Sequence, residues 1–103
     1  MPESDHIHLR AGRLHIDSST YGRRLMGCVA VALMVRDGQW MLLPLHGGAG
    51  GLQIKIRNAR GDRVVESQEF FRSQGLEDDH GALELTLDED AALGGYRLVA
   101  LEV

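Results

Sequence analysis

Apolar side chains recur at every second position in several short stretches of this chain, and turns that contain glycine separate those stretches. The pattern is clearest at residues 6–10 and 13–17, which an alanine–glycine pair connects. Alternation with a period of two is typical of strands that bury one face, and such a short connection is typical of a tight hairpin. In the simplest register His8 lies opposite His15. The face predicted to turn inward carries Ile7, Leu9, Leu14 and Ile16.

A second hairpin is predicted where Asp37 and Gly38 separate two apolar runs at residues 25–35 and 39–45. Both central positions of a type I′ turn require positive φ, which Asp-Gly adopts readily. The runs are apolar on both faces, as expected of central strands or of strands that meet another subunit. Because Pro44 cannot donate a backbone hydrogen bond, we expect the second strand to end near it or to lie at an edge.

The rest of the chain continues the strand pattern. A polar connection is predicted at residues 18–24 and a glycine-rich break at 46–51. Further strands are predicted at residues 52–57, 63–71, 82–87 and 96–103, the second of them ambiguous with a short helix near 66–71. About eight short strands in a chain of 103 residues predict one all-β domain spanning 1–103. We expect a small antiparallel β-sandwich or a partly closed barrel.

Two segments of the second half resemble the closing strands of immunoglobulin-like sandwiches, in particular of bacterial and macroglobulin-type domains. They read LQIKIRNARGDRVV at residues 52–65 and LELTLDEDAALGGYRL at residues 83–98. The first is a strand, a turn and a strand, and the second passes through an acidic bend and a glycine–aromatic step into the last strand. The resemblance covers about residues 52–103 and implies an immunoglobulin-like sandwich that tends to bind other proteins. It carries over no active site, because the chain has neither a thioester motif nor paired cysteines.

Charge and hydropathy exclude several classes of partner and compartment. The formal net charge is −4, and neither a basic stripe nor a row of aromatic residues is present, so nucleic acid is not expected to bind. The longest apolar run, at residues 25–35, is shorter than the ~20 residues of a membrane-spanning helix. The acidic, polar start at residues 2–5 does not resemble a secretory signal, and we expect a cytoplasmic protein. The single cysteine, Cys28, is predicted to be buried and inert.

Three histidines of the first hairpin are the candidate metal ligands. His6 and His8 share one face of their strand, and the register brings His15 opposite His8. Three imidazoles in this arrangement suit zinc or copper, so a small metal-binding protein is one candidate function. Arg10 and Arg13 lie on the same predicted face and would repel a divalent cation. The alternative is a polar surface that faces solvent or another subunit.

The second hairpin is predicted to form an interaction surface. Its apolar residues include Met26, Met34, Trp40 and Met41. A thin domain has difficulty burying both faces of both strands by itself, and large exposed apolar patches usually mark interfaces. The function we expect is therefore that of a non-enzymatic module that acts through protein contacts and associates with itself into a homo-oligomer.

A ligand-binding or catalytic barrel with His46 or His80 at its mouth is the remaining alternative. It requires an apolar pocket in which polar groups converge. The sequence shows no Gly-x-Ser-x-Gly motif and no convincing Cys–His pair, so an enzyme is disfavoured. The acidic clusters at residues 77–79 and 88–90 lack the alternate spacing of calcium ligands, so a calcium site is not expected there. The Arg-Gly-Asp tripeptide at residues 60–62 is explained by the geometry of a turn, so an adhesive function is not expected.

Overall fold

The computed structural model describes residues 5–47 and 50–101, which form eight β-strands and two short α-helices. Along the chain they are β1 (His6–Arg10), β2 (Arg13–Ile16), α1 (Ser18–Arg24), β3 (Ala30–Arg36), β4 (Gln39–Leu45), β5 (Leu52–Ile56), β6 (Arg63–Val65), α2 (Gln68–Ser73), β7 (Leu83–Asp90) and β8 (Gly95–Ala100). Every strand pairs antiparallel with its neighbours, and the sheet closes into a barrel in the order β1-β2-β6-β5-β3-β4-β8-β7. The prediction of an all-β fold is confirmed, whereas an immunoglobulin-like sandwich is not.

Both predicted hairpins are present with their predicted turns. In the first, His8 lies opposite His15, as the alternation indicated. In the second, Asp37 and Gly38 have φ of 51° and 75°, the positive values that a type I′ turn needs. Pro44 lies beyond Leu42, where the pairing of β4 with β8 ends, so its missing N–H costs no ladder bond there.

A helix replaces the connection predicted at residues 18–24. The side chain of Asp17 accepts a hydrogen bond from the backbone N–H of Thr20 at 2.7 Å and thereby caps α1. The helix ends at Arg24, with Leu25 as its C-cap, and Gly27 reverses the chain with φ of 82°. The strand predicted from residue 25 therefore begins only at Ala30, because residues 25–29 form this reversal.

The strand predicted at residues 63–71 is also shorter than expected. β6 ends at Val65, and α2 begins at Gln68, so the helical alternative near 66–71 is correct for the second part of that stretch. Phe71, on α2, is completely buried and completes the core at one side of the barrel.

Side chains fill the interior of the barrel. The predicted inward face of the first hairpin is confirmed, since none of its four apolar residues is more than 1% exposed. The other strands add the inner residues Val31, Leu42, Ile54, Val65, Leu85, Leu87 and Leu98. Eight-stranded barrels of this kind are just wide enough to be packed by side chains. Among the described residues, no helix has the length and apolar character that crossing a membrane requires.

Candidate functional site

β3 is fully paired along one edge and only partly paired along the other. Its pairing with β4 extends from Ala30 to Arg36. Its pairing with β5 ends at Val31, which lies opposite Leu52. Gly51, just before β5, has φ of 78° and directs the chain away from the sheet. Beyond Val31, this edge of β3 lies beside no strand of the part of the chain that the structure describes.

The backbone of this edge presents hydrogen-bonding groups at alternate residues. Arg36 and Gln39 flank the two-residue turn and so form a hydrogen-bonded pair with each other. Because the direction of the backbone groups alternates along an antiparallel strand, Leu33 and Val35 direct their N–H and C=O groups away from β4. Unpaired groups on an edge strand can template the addition of another strand.

A groove of about 730 Å³ lies along this edge. Residues 31–33 of β3 form one wall, and residues 66–70, at the start of α2, form the other. Leu52 and Phe70 give the lining an apolar part. A groove of this size is within the range of sites that bind ligands, which is roughly 300–1,000 Å³.

The α2 wall is fixed by a hydrogen bond to the first hairpin. The buried hydroxyl of Ser67 donates to the backbone carbonyl of Gly12 at 2.7 Å. Gly12 has φ of 75°, and a Cβ atom placed on it would lie 2.9 Å from Cγ of Gln68. A side chain at position 12 would therefore push α2 away from the hairpin.

Charged side chains in the lining are mostly paired. Glu66 accepts hydrogen bonds from Nε of Arg13 at 2.7 and 2.9 Å, and these hold the pKa of its carboxyl below the usual value. Arg72 donates to Asp78 at 3.0 and 2.5 Å. Glu69 is exposed, and its carboxylate has no hydrogen bond or ion pair with any other described residue. The free hydrogen-bonding capacity of the groove therefore resides mainly in the backbone edge of β3.

The four residues predicted for the interaction surface differ in accessibility. Met26 is 72% exposed and Met34, on the outer part of β3, is 40% exposed. Trp40 is half-buried. Met41 lies on the outer surface of the barrel but is only 2% exposed, because the turn between β7 and β8 covers it. Met26 and Met34 are thus accessible to a partner, and the predicted interface stays a prediction.

The histidines proposed as metal ligands are only partly brought together. His6 contacts Oε1 of Glu84 through Nδ1 at 2.9 Å, while His8 lies opposite His15. Burial lowers the pKa of His15, and the positive charges of Arg57 and other neighbouring residues lower it further. Within residues 5–47 and 50–101, no group of three or more His, Cys, Asp or Glu side chains is placed to hold a metal ion. The zinc or copper site stays a prediction.

One Cys–His pair was missed in the sequence. Sγ of Cys28 lies 3.5 Å from Nε2 of His46, and the hairpin register explains this because the two residues flank its open end. Cys28 is 4% exposed, as predicted, and burial raises the pKa of its thiol. That the cysteine is inert stays a prediction. His80 accepts a hydrogen bond from the backbone N–H of Gly12 at 3.3 Å. The lining of the groove contains neither of these histidines.

Comparison of the chain with protein-family models, with curated proteins and with solved structures gives no match. The resemblance to immunoglobulin-like domains therefore stays a prediction. Function is inferred from the geometry of this chain, in which the free edge of β3 lies beside a groove of about 730 Å³.

Proposed function

We propose that this protein is a non-enzymatic interaction module that binds an extended segment of a partner protein along the free edge of β3. One observation carries the proposal: the unpaired backbone of Leu33 lines a groove of about 730 Å³, and Val35 continues the same free edge beyond the groove. A segment laid in the groove would hydrogen-bond to these two residues and add a strand to the sheet. Addition of a strand to an exposed edge is a common mode of peptide recognition.

The opposite wall of the groove favours a single extended segment over the edge of a second barrel. If another copy docked through its own β3, its β4 would follow in the same sheet at a spacing of about 4.8 Å. The β4 strand of the second copy would clash with residues 66–70, which form the α2 wall of the groove. A chain terminus or a loop of a partner carries no such neighbouring strand and meets no such obstacle.

The side chains near the edge indicate which segments fit. Leu33 and Phe70 offer apolar surface in and beside the groove, so a bound strand would place apolar residues at every second position. Arg36, at the far end of β3, is exposed, and its side chain has no hydrogen bond or ion pair with another described residue. An acidic residue in the segment would be favoured next to it.

Self-association is a second candidate, supported by the exposed apolar residues near the start and middle of β3. Met26, Val29 and Met34 are 72%, 53% and 40% exposed. Burial of such residues against another copy would remove apolar surface from water. Light scattering at micromolar concentration separates the two candidates. A monomer that still binds peptides would exclude self-association as the main function. An oligomer that the substitution Met26→Asp dissociates would support self-association.

Selection from a displayed library of random peptides tests the main proposal. We expect selected peptides to alternate apolar and polar residues and to bind the purified protein measurably in fluorescence anisotropy. Leu33→Pro removes an N–H that faces the groove while it spares the pairing with β4, so binding should weaken by about fivefold or more. Val35→Lys should weaken binding similarly, since it places a charge beside the apolar groove.

Ile56→Lys is the matched control, because Ile56 is also a strand residue with a β-branched side chain and is 68% exposed. It should bind the selected peptides as the unaltered protein does. Equal affinity of all three variants for the peptides would overturn the proposal. A small apolar molecule that competes for the groove, with no peptide selected, would instead favour the ligand-binding alternative.

A further inference from the structure

A second concavity, of about 80 Å³, lies on the outer surface of the barrel where β1, β2, β5 and β6 adjoin. β1 contributes His8 and Arg10 to its lining, and β2 contributes His15. Arg57 follows directly after β5 and joins the same lining. Two guanidinium groups and two imidazoles thus meet around a space much smaller than the groove beside β3.

The guanidinium groups of Arg10 and Arg57 are the cations of this region that no described residue binds. Neither guanidinium group has a hydrogen bond or an ion pair with any other residue that the structure describes, and both residues are exposed. Arg13, by contrast, is bound to Glu66. Arg63, the third arginine of the lining, donates to the carbonyl of Gly61 and lies 4.0 Å from the centre of the Tyr21 ring.

The imidazole ring of His15 lies between these arginines and has no hydrogen-bond partner among the described residues. Its Nδ1 is buried and receives or donates no hydrogen bond within the described residues. A buried polar atom without a partner is uncommon in folded proteins and requires an explanation. The imidazole of His15 therefore has hydrogen-bonding capacity that no described residue uses.

Two carboxylates, Asp17 and Asp62, also line the concavity, and both already accept hydrogen bonds from other residues. Asp17 accepts hydrogen bonds from the N–H of Thr20 and the hydroxyl of Ser19, at 2.7 and 2.9 Å. Asp62 accepts from the N–H of Ser18 at 2.8 Å, and further donors reach it from the turn before β6. On β7, opposite His8, Glu84 is held by His6. These acids therefore leave the two free guanidinium groups unpaired.

We propose that this concavity binds a tetrahedral oxyanion, namely a phosphate group that is either free or part of a phosphomonoester. Arg10 and Arg57 would supply the cationic hydrogen-bond donors, since the planar guanidinium suits the oxygens of phosphate. His15 would supply a further hydrogen bond. A space of about 80 Å³ has room for one such group, since a cavity of about 10–15 Å³ already holds a water molecule.

Isothermal titration calorimetry with sodium phosphate and with methyl phosphate tests the proposal, against sodium chloride at matched ionic strength. We expect saturable binding of at least one phosphate compound to a single site. Arg10→Ala and Arg57→Ala should each weaken it by about tenfold to a hundredfold, the effect of losing one charge-assisted hydrogen bond. Methyl phosphate bound more tightly than inorganic phosphate would identify an ester as the natural ligand, and the reverse order would identify the free ion.

Arg36→Ala is the matched control, because Arg36 is exposed and outside this lining, and its side chain has no partner among the described residues. It removes the same charge and should leave phosphate binding unchanged. An equal loss in Arg36→Ala and Arg57→Ala would overturn the proposal, because attraction to net charge would then explain binding. Binding of zinc chloride in place of phosphate would overturn it as well. Circular dichroism of each variant verifies that the fold is retained.

Discussion

The ring of Phe71 on α2 meets the ring of Trp40 on β4 edge to face, with centroids 5.1 Å apart and an interplanar angle of 78°. Phe71 also packs edge to face with Phe70, which lines the groove. The wall of the candidate binding groove is therefore held to the barrel by an aromatic cluster in which one ring belongs to the sheet. Loss of that ring should loosen the wall and leave most of the barrel intact.

Trp40→Ala is expected to lower the free energy of unfolding by about 2–3 kcal/mol, below the range for a fully buried tryptophan because Trp40 is half-buried. Trp40→Phe keeps an aromatic edge for Phe71 and should cost less. Urea denaturation measures both changes. Faster amide exchange in α2 of Trp40→Ala, with β1 and β7 unchanged, would show that the wall is loosened selectively. An equal cost for both variants would contradict the aromatic contact.

Gly12 and Gly38 form a matched pair for testing how α2 sits on the first hairpin. Both have φ of 75°, but a Cβ on Gly12 would lie 2.9 Å from Cγ of Gln68, whereas a Cβ on Gly38 would meet nothing within 4 Å. Gly38→Ala should therefore cost only the backbone strain, about 1–2 kcal/mol. Gly12→Ala should cost more, because α2 must move. Thermal unfolding of the two variants gives the difference, and equal losses would contradict the close approach.

The buried carboxylate of Asp5 predicts an acid-sensitive fold. Asp5 is 3% exposed and accepts hydrogen bonds from Arg23 and Arg24. Burial alone raises the pKa of this carboxyl, but the hydrogen bonds and charges of the two arginines outweigh it and hold the pKa below the usual value. A folded-state pKa below the unfolded value near ~4 gives stability that is present above that pH and is lost as the pH falls.

Asp5→Asn should lower the free energy of unfolding at pH 7 by about 1–3 kcal/mol, since it leaves two arginines without their buried anion. It should also flatten the loss of stability between pH 5 and pH 2. Chemical denaturation across that range measures both effects. Asp79→Asn changes an exposed acid and serves as the control. A variant of Asp5 that unfolds in acid as the unaltered protein does would contradict this account.

The two hairpin turns could be predicted from the sequence, but the closure of the sheet into a barrel could not. The register of the first hairpin followed from Ala11-Gly12, because a two-residue turn fixes which residues face each other, and Asp37-Gly38 predicted the turn of the second. The barrel closes through pairs such as Ile7 with Leu85, which are remote in sequence, and alternation alone does not select them. α1 was missed because its apolar pattern is short, although Asp17 is a recognisable helix cap.

The candidate sites were predictable to different degrees. His8 and His15 were correctly placed together, since they belong to one hairpin. Arg57 reaches the same concavity through the β5–β6 and β6–β2 pairings, which no local pattern indicates. The free edge of β3 depends on the backbone of Gly51, where the chain leaves the sheet, and glycine adopts that conformation or another with equal ease.

Amide hydrogen exchange along β3, followed by nuclear magnetic resonance, tests the free edge most directly. The amides of Ala32 and Met34 are predicted to be protected, because they face β4, whereas those of Leu33 and Val35 are predicted to exchange rapidly. Binding of a selected peptide should slow exchange at Leu33 and Val35 and leave the other two unchanged. Uniform protection of all four amides in the unbound protein, or no change at Leu33 and Val35 when the peptide binds, would contradict the proposed strand addition.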